Sequence, residues 1–220
     1  MTTVFILLAL AATLVGVGLF IRAVRAMLAT IRLGQPDPTR SGQARDRWMT
    51  LLREVGGHTR LSKWGIVGAA HWFVLVGFLS LFLTLVTAYG QLFNPEFALP
   101  LIGHFAPYEV FVEFIAWATG IGIVTLIGIR QVTRLVRPGR KSRFYGSTMW
   151  QAYYVEATIL VIVFCVIALR GLEGALNGPT SWNWHHALSY PAVQAFAGTS
   201  TDSLKSAIIV TAAIKILVSM

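Results

Sequence analysis

The sequence predicts an all-helical membrane bundle of five transmembrane helices with its N-terminus outside, and three observations carry that prediction. Only 12% of the 220 residues are charged and 55% are hydrophobic, where a soluble domain averages about 25% charged. The apolar residues are gathered into runs long enough to cross a bilayer, which takes about 20 residues. Most of the basic residues fall between the runs. A formal charge of +9 could otherwise point to nucleic acid. A nucleic-acid binder displays its cations on a water-exposed face and has no long uncharged stretches, so that class is excluded.

The first run, Val4 to Ile21 with an amphipathic extension to Ile31, is not a signal peptide. Such a peptide carries positive charge before its apolar core, whereas Arg22, Arg25 and Arg32 follow this one. The second run extends from Trp64 to about Phe93, the third from Val110 to Ile129 and the fourth from about Tyr153 to Leu169. A fifth begins at Leu204 and is still apolar at Met220, without a cap, a turn or a polar tail. It is expected to be cut short, residues 1–220 then being the N-terminal membrane domain of a longer polypeptide.

Orientation follows from Lys and Arg, which remain in the cytoplasm. Of the 18, seven lie in residues 32–63 and six in 130–143, while 94–109 and 171–204 contain none. The loops 32–63 and 130–143 are therefore expected to be cytoplasmic. In the first, Gln35-Pro36-Asp37-Pro38 stops the helix. Trp48, Leu51, Leu52 and Val55 then recur at helical spacing, an amphipathic stretch suited to the membrane surface and ended by Gly56-Gly57. The segment Asn177 to Ser203 carries Trp182, Trp184, Tyr190 and Phe196, and aromatic residues favour the headgroup level. It is expected to fold back on the outer surface.

Ionisable groups within the apolar runs are costly and mark candidate sites. His71 lies about seven residues, roughly 10 Å, into the second run. Gly68, Ala69 and Ala70 precede it, small residues of the kind a flat porphyrin needs beside its axial imidazole. The alternative is a packing histidine bonded to a neighbouring helix. Arg130 and Glu156 are expected at similar depth, either paired with each other or serving a heme propionate (Arg130) and proton transfer (Glu156). His58 is thirteen residues from His71, roughly 20 Å along a continuous helix, too far to share an iron. Arg170 and Glu173, three apart, should pair. Glu113, His104, His185 and His186 fall near the outer interface, as solvated groups or as part of a quinone site with Trp182. Adjacent helical side chains diverge by about 100°, so His185 and His186 cannot hold one metal in a regular helix. The single cysteine, Cys165, excludes both a disulfide and a cysteine-held cluster within these residues and reads as a packing residue.

The stretch Arg60-Leu61-Ser62-Lys63-Trp64-Gly65-Ile66-Val67-Gly68-Ala69-Ala70-His71-Trp72-Phe73-Val74-Leu75-Val76-Gly77-Phe78-Leu79-Ser80-Leu81 resembles the second helix of the respiratory nitrate reductase gamma-subunit family. The shared features are the basic lead-in, the glycine three residues before the histidine and the Gly-Phe pair after it. The resemblance implies a cytochrome b-type membrane domain of the kind fused ahead of a cytoplasmic heterodisulfide-reductase-type Fe–S domain. It further implies heme b ligated by His71 and packed against Gly68, an Fe–S cluster beyond residue 220, electrons from electron-transfer flavoprotein, and menaquinone as acceptor in a bacterial inner membrane. The sequence departs from two-heme members at Leu61 and Leu81, where a second histidine would stand, and Leu204 to Met220 holds no partner histidine. One heme is the expectation, its second ligand past Met220. The competing classes are a small-solute or proton transporter and a heme-free membrane anchor for a redox partner.

Overall fold

The computed structural model describes residues 2–35, 37, 42–136, 146, 148–178 and 181–220. Pro36, Pro38 and the basic cluster at 137–143 lie outside the described residues. Each long apolar run forms one continuous helix: α1 (Thr2–Arg32), α3 (Ile66–Gln91), α4 (Ala106–Val136) and α5 (Met149–Leu176). All four are long and apolar enough to cross a membrane, which makes this a multi-pass membrane protein. The short helices are α2 (Ala44–Leu51), α6 (Tyr190–Phe196) and α7 (Thr201–Ser219). No strand occurs among the described residues. The fifth expected span corresponds to α7, which is not among the four. Asp202, Lys205 and Lys215 dilute its apolar content.

Chain direction gives the bundle two ends. The 33–65 and 137–148 connections join helices at one, here the basic end. The 92–105 and 177–200 connections join them at the other, the loop end. Two clusters hold the interior together. Ala9, Ala88, Leu169, Leu172, Ile208, Ala212 and Ile216 join α1, α3, α5 and α7. Leu81, Val112, Ile115, Ala116, Val163 and Val166 join α3, α4 and α5. Outside them, Phe78 and Phe82 on α3, Phe114 and Trp117 on α4 and Phe164 on α5 are exposed. That inversion of the usual soluble pattern is what hydrocarbon outside the bundle demands. Small residues set the close approaches. A Cβ at Gly77 of α3 would fall 1.9 Å from Thr119 Oγ1 of α4.

The α2 helix continues through a single π turn at Leu52–Gly56 and stops at Gly57, where the sequence places its end. Trp48, Leu51, Leu52 and Val55 are all exposed, as an interfacial helix requires. Between α2 and α3 the chain is not a continuous helix. It turns at Gly57, makes a 3₁₀ turn at Leu61–Trp64, and enters α3 through Gly65 at φ +57°, ψ −119°. That conformation is open only to glycine. The helical spacing that separated His58 from His71 therefore does not apply. His58 is bound within its own turn, Nδ1 to Val55 O at 2.8 Å.

At the loop end the 181–200 segment folds back on α4 and α5. The side chain of Asn183 accepts the amides of His185 (3.0 Å) and His186 (3.2 Å), which starts a 3₁₀ turn at Trp184–His186. The α6 helix then lies on Gly171 and Gly174 of α5. A Cβ at Gly171 would sit 2.7 Å from Ala192 Cβ, and one at Gly174 would sit 2.5 Å from Val193 Cγ2.

Candidate functional site

Three helices of the basic half bring His71, Arg130 and Glu156 to one cavity of about 670 Å³, within the range that accepts a cofactor-sized ligand. Its walls are mainly aliphatic, from Val67 and Val74 on α3, Ile123 and Leu126 on α4, and Val155 and Ile159 on α5. The helical spacing explains the convergence. Val67, His71 and Val74 recur at intervals of four and three, as do Ile123, Leu126 and Arg130, so each set shares a face. Arg130 NH2 meets Glu156 Oε1 at 2.7 Å, so the pairing that the sequence allowed is present, and Tyr153 lies under the guanidinium at 5.8 Å. The second carboxylate oxygen, Glu156 Oε2, is buried without a hydrogen-bond partner. His71 is exposed to the cavity and makes no hydrogen bond among the described residues.

These residues fit a heme with one protein ligand. An unengaged imidazole, aliphatic walls and a guanidinium at one edge are what the group asks of its pocket. Gly68 takes a different place from the expected one. Its missing Cβ would lie 2.4 Å from Leu61 O and 2.6 Å from Ser62 Cα. The glycine thus seats the Leu61–Trp64 turn against α3 and is not part of the cavity wall. No second histidine or methionine lines the cavity, and no group of three metal-ligating side chains occurs among the described residues.

The loop half carries a second polar centre, of which the sequence disclosed only one link. Arg170 pairs with Glu173 at 2.9 Å, as expected from their spacing, and also with Glu109 at 3.1 Å and Glu113 at 3.2 Å. Its NH2 also donates to His185 O. His185 Nδ1 meets Glu109 Oε2 at 2.5 Å, and Gln91 Nε2 donates to Glu173 Oε1 at 2.5 Å. Glu113, fully buried, accepts Leu188 N (2.7 Å), Ser189 N (3.0 Å) and Ser189 Oγ (2.6 Å). Its carboxylate thereby satisfies amides ahead of α6 that would otherwise be orphans. A cavity of about 280 Å³ adjoins the cluster and reaches Lys215 of α7. His186 lines it, whereas His185 and Trp182 do not. Trp182 instead packs edge-on against Trp184 at 5.1 Å and donates Nε1–H to Ala187 O at 3.1 Å. The three residues expected at a quinone are thus divided, and charged groups line the one cavity that His186 reaches.

Three of these residues carried a readable signal. Glu109 and Glu113 are four apart, hence on one face of α4, and Lys215 interrupts an apolar run under the same rule that singled out His71. Cys165 is buried in the packing, as expected.

Burial beside the Arg170 guanidinium pushes His186 down to about 4 from 6.5. The sign of the pH effect follows. Above about pH 6.5 the ring is neutral whether or not the 184–196 segment is docked. As pH falls from 6.5 toward 4, the undocked segment takes up a proton that the docked one refuses, so docking weakens. Hydrogen exchange of the 184–196 amides, corrected for intrinsic rate, is expected to accelerate across that window and to lose the dependence in His186→Asn.

The chain matches no family model, no curated protein sequence and no solved structure.

Proposed function

We propose that this chain is the membrane electron-transfer domain of a quinone oxidoreductase, with heme b held at His71. The observation that carries the reading is an imidazole without a protein partner facing a large aliphatic cavity, beside a paired cation and carboxylate. His71 would supply one axial nitrogen, and Arg130 would offer charge to a propionate at the edge of the cavity. The heme would supply one-electron storage in the membrane. Glu156 holds or hands on a proton at Oε2, while Arg130 fixes its other oxygen. Around a bound heme the aliphatic wall would keep water from the imidazole.

In this reading the loops 32–63 and 130–143 face the cytoplasm of a bacterium, and α7 is a fifth span, directed inward. Electrons arrive from electron-transfer flavoprotein through an Fe–S domain beyond residue 220, and menaquinone, dissolved in the same lipid, accepts them. A second reading, a proton or small-solute transporter, draws on the charged cavity at the loop end.

Visible spectroscopy of the purified membrane protein separates the two. Reduced b-type bands are expected in wild type and in His186→Ala, which lies at the opposite end of the bundle. In His71→Ala they are expected to vanish while the protein still inserts, because α3 remains apolar over its 26 residues. A full heme complement in His71→Ala, or no heme in wild type, would sink the assignment.

A further inference from the structure

We infer that the loop-end cavity is a water-filled proton inlet that connects the surface with Lys215 in the bundle interior. Its mouth is formed by Glu96, His104 and Asn177, all exposed, and its floor by Lys215 and Thr84. Thr84 lies seven residues before the end of α3, roughly 10 Å below it. Lys215 is 1% exposed, and its Nζ donates to Thr84 O at 2.8 Å and to Thr84 Oγ1 at 2.6 Å. These two acceptors leave one ammonium proton for something in the cavity.

What fills the cavity follows from its polar atoms and its charge. Gln91 Oε1, Tyr108 Oη and His186 Nδ1 line it and are buried without a hydrogen-bond partner. Gln91 is 1% exposed and His186 5%. Buried polar atoms of this kind are satisfied by ordered water. The volume of about 280 Å³ accommodates about nine molecules at ~30 Å³ each. Ions of either sign are disfavoured. The Lys215 ammonium and the Arg170 guanidinium repel a metal cation, while Glu109 and Glu173 repel an anion. Water and the protons it carries remain.

Cys165 and Glu173 of α5 interact directly with Lys215, and the other titratable groups that line the cavity are Glu109 and Tyr108 from α4, Arg170 from α5 and His186 from the folded-back segment, with Glu96 and His104 at the mouth. In the exchange step an N–H bond of Lys215 breaks and its proton passes through the cavity water to the Glu96 carboxylate at the mouth. The amine stays in place against Thr84, and reprotonation reverses the step. The inference holds under either reading of the function.

Reductive methylation of the full-length protein with formaldehyde and borohydride tests it, because only a hydrated lysine that releases its proton reacts. Peptide mass spectrometry should find Lys215 dimethylated along with Lys205, which is half-buried and paired with Glu96 at the mouth. A second arm uses a charged methanethiosulfonate on a Cys165→Ser background. Thr87→Cys, in the cavity wall, should react at least about tenfold faster than Val86→Cys, at the same depth on an exposed face, since the reagent attacks a hydrated thiolate. Lys215 unmodified when Lys205 has reacted fully, or equal rates at 86 and 87, would overturn the inlet.

Discussion

Membranes from cells expressing Arg170→Met are expected to contain little folded protein. The guanidinium is the cation shared by Glu109, Glu113 and Glu173, whose side chains are 6%, 0% and 22% exposed. Breaking one buried pair by deleting a partner costs about 3–5 kcal/mol, and here three carboxylates lose their counter-charge together. A total stability of about 5–15 kcal/mol leaves little margin for that. Arg170→Lys should rescue only in part. One ammonium cannot reproduce the fork by which Nε meets Glu113 and NH1 meets both Glu109 and Glu173. Adding Glu109→Gln and Glu173→Gln to Arg170→Met removes most of the uncompensated charge and should restore part of the yield. Fluorescence-detected size exclusion of a tagged chain measures all of these. A monodisperse wild-type peak from Arg170→Met alone would show that the cluster does not hold the loop half together.

The second large effect is expected from Glu113→Ala, and it should be local. Its carboxylate is the acceptor for two backbone amides and the Ser189 hydroxyl as well as for Arg170. Alanine leaves those donors buried and unpaired, at about 1–3 kcal/mol each. Residues 184–196 should exchange their amides orders of magnitude faster, while the α3–α4 contact around Gly77 and Thr119 is unchanged. Glu113→Gln should help little, because an amide nitrogen would confront one of the donors. Uniform loosening of both regions would place the effect of Glu113 on the whole bundle and remove its special role at α6.

The four long helices were legible in the sequence because lipid imposes a composition, and composition is local. The stop after α2 was legible for the same reason, as Gly56-Gly57 breaks a helix wherever it stands. The break ahead of α3 was harder to read. Gly65 needs its left-handed geometry only because the Leu61–Trp64 turn folds against Gly68, a contact that makes Gly68 a packing residue. His71, Arg130 and Glu156 could be chosen singly, as ionisable residues in apolar runs. Their meeting at one cavity depends on how α3, α4 and α5 cross. The Arg170 cluster was the least legible, since a spacing of three exposes one link and the others join residues 15 to 82 positions apart.

The position of α7 bears on how the chain assembles as it is made. Of α1, Ala9 alone is fully buried. Its packing is mainly against α7, with Gly16 beside Met220, and a hydrogen bond of 2.6 Å joins Thr13 to Tyr89 of α3. The first of these helices thus finds its main neighbour in one made much later. Between Arg32 and Thr201 lie on the order of 170 residues, or roughly 10–30 s of synthesis at about 5–20 residues per second. For that interval α1 must persist as a lone lipid-solvated helix, which its uninterrupted apolar run permits. Lesions on the α1–α7 contact, such as Ala9→Leu, should therefore spare insertion and appear as a late failure to consolidate.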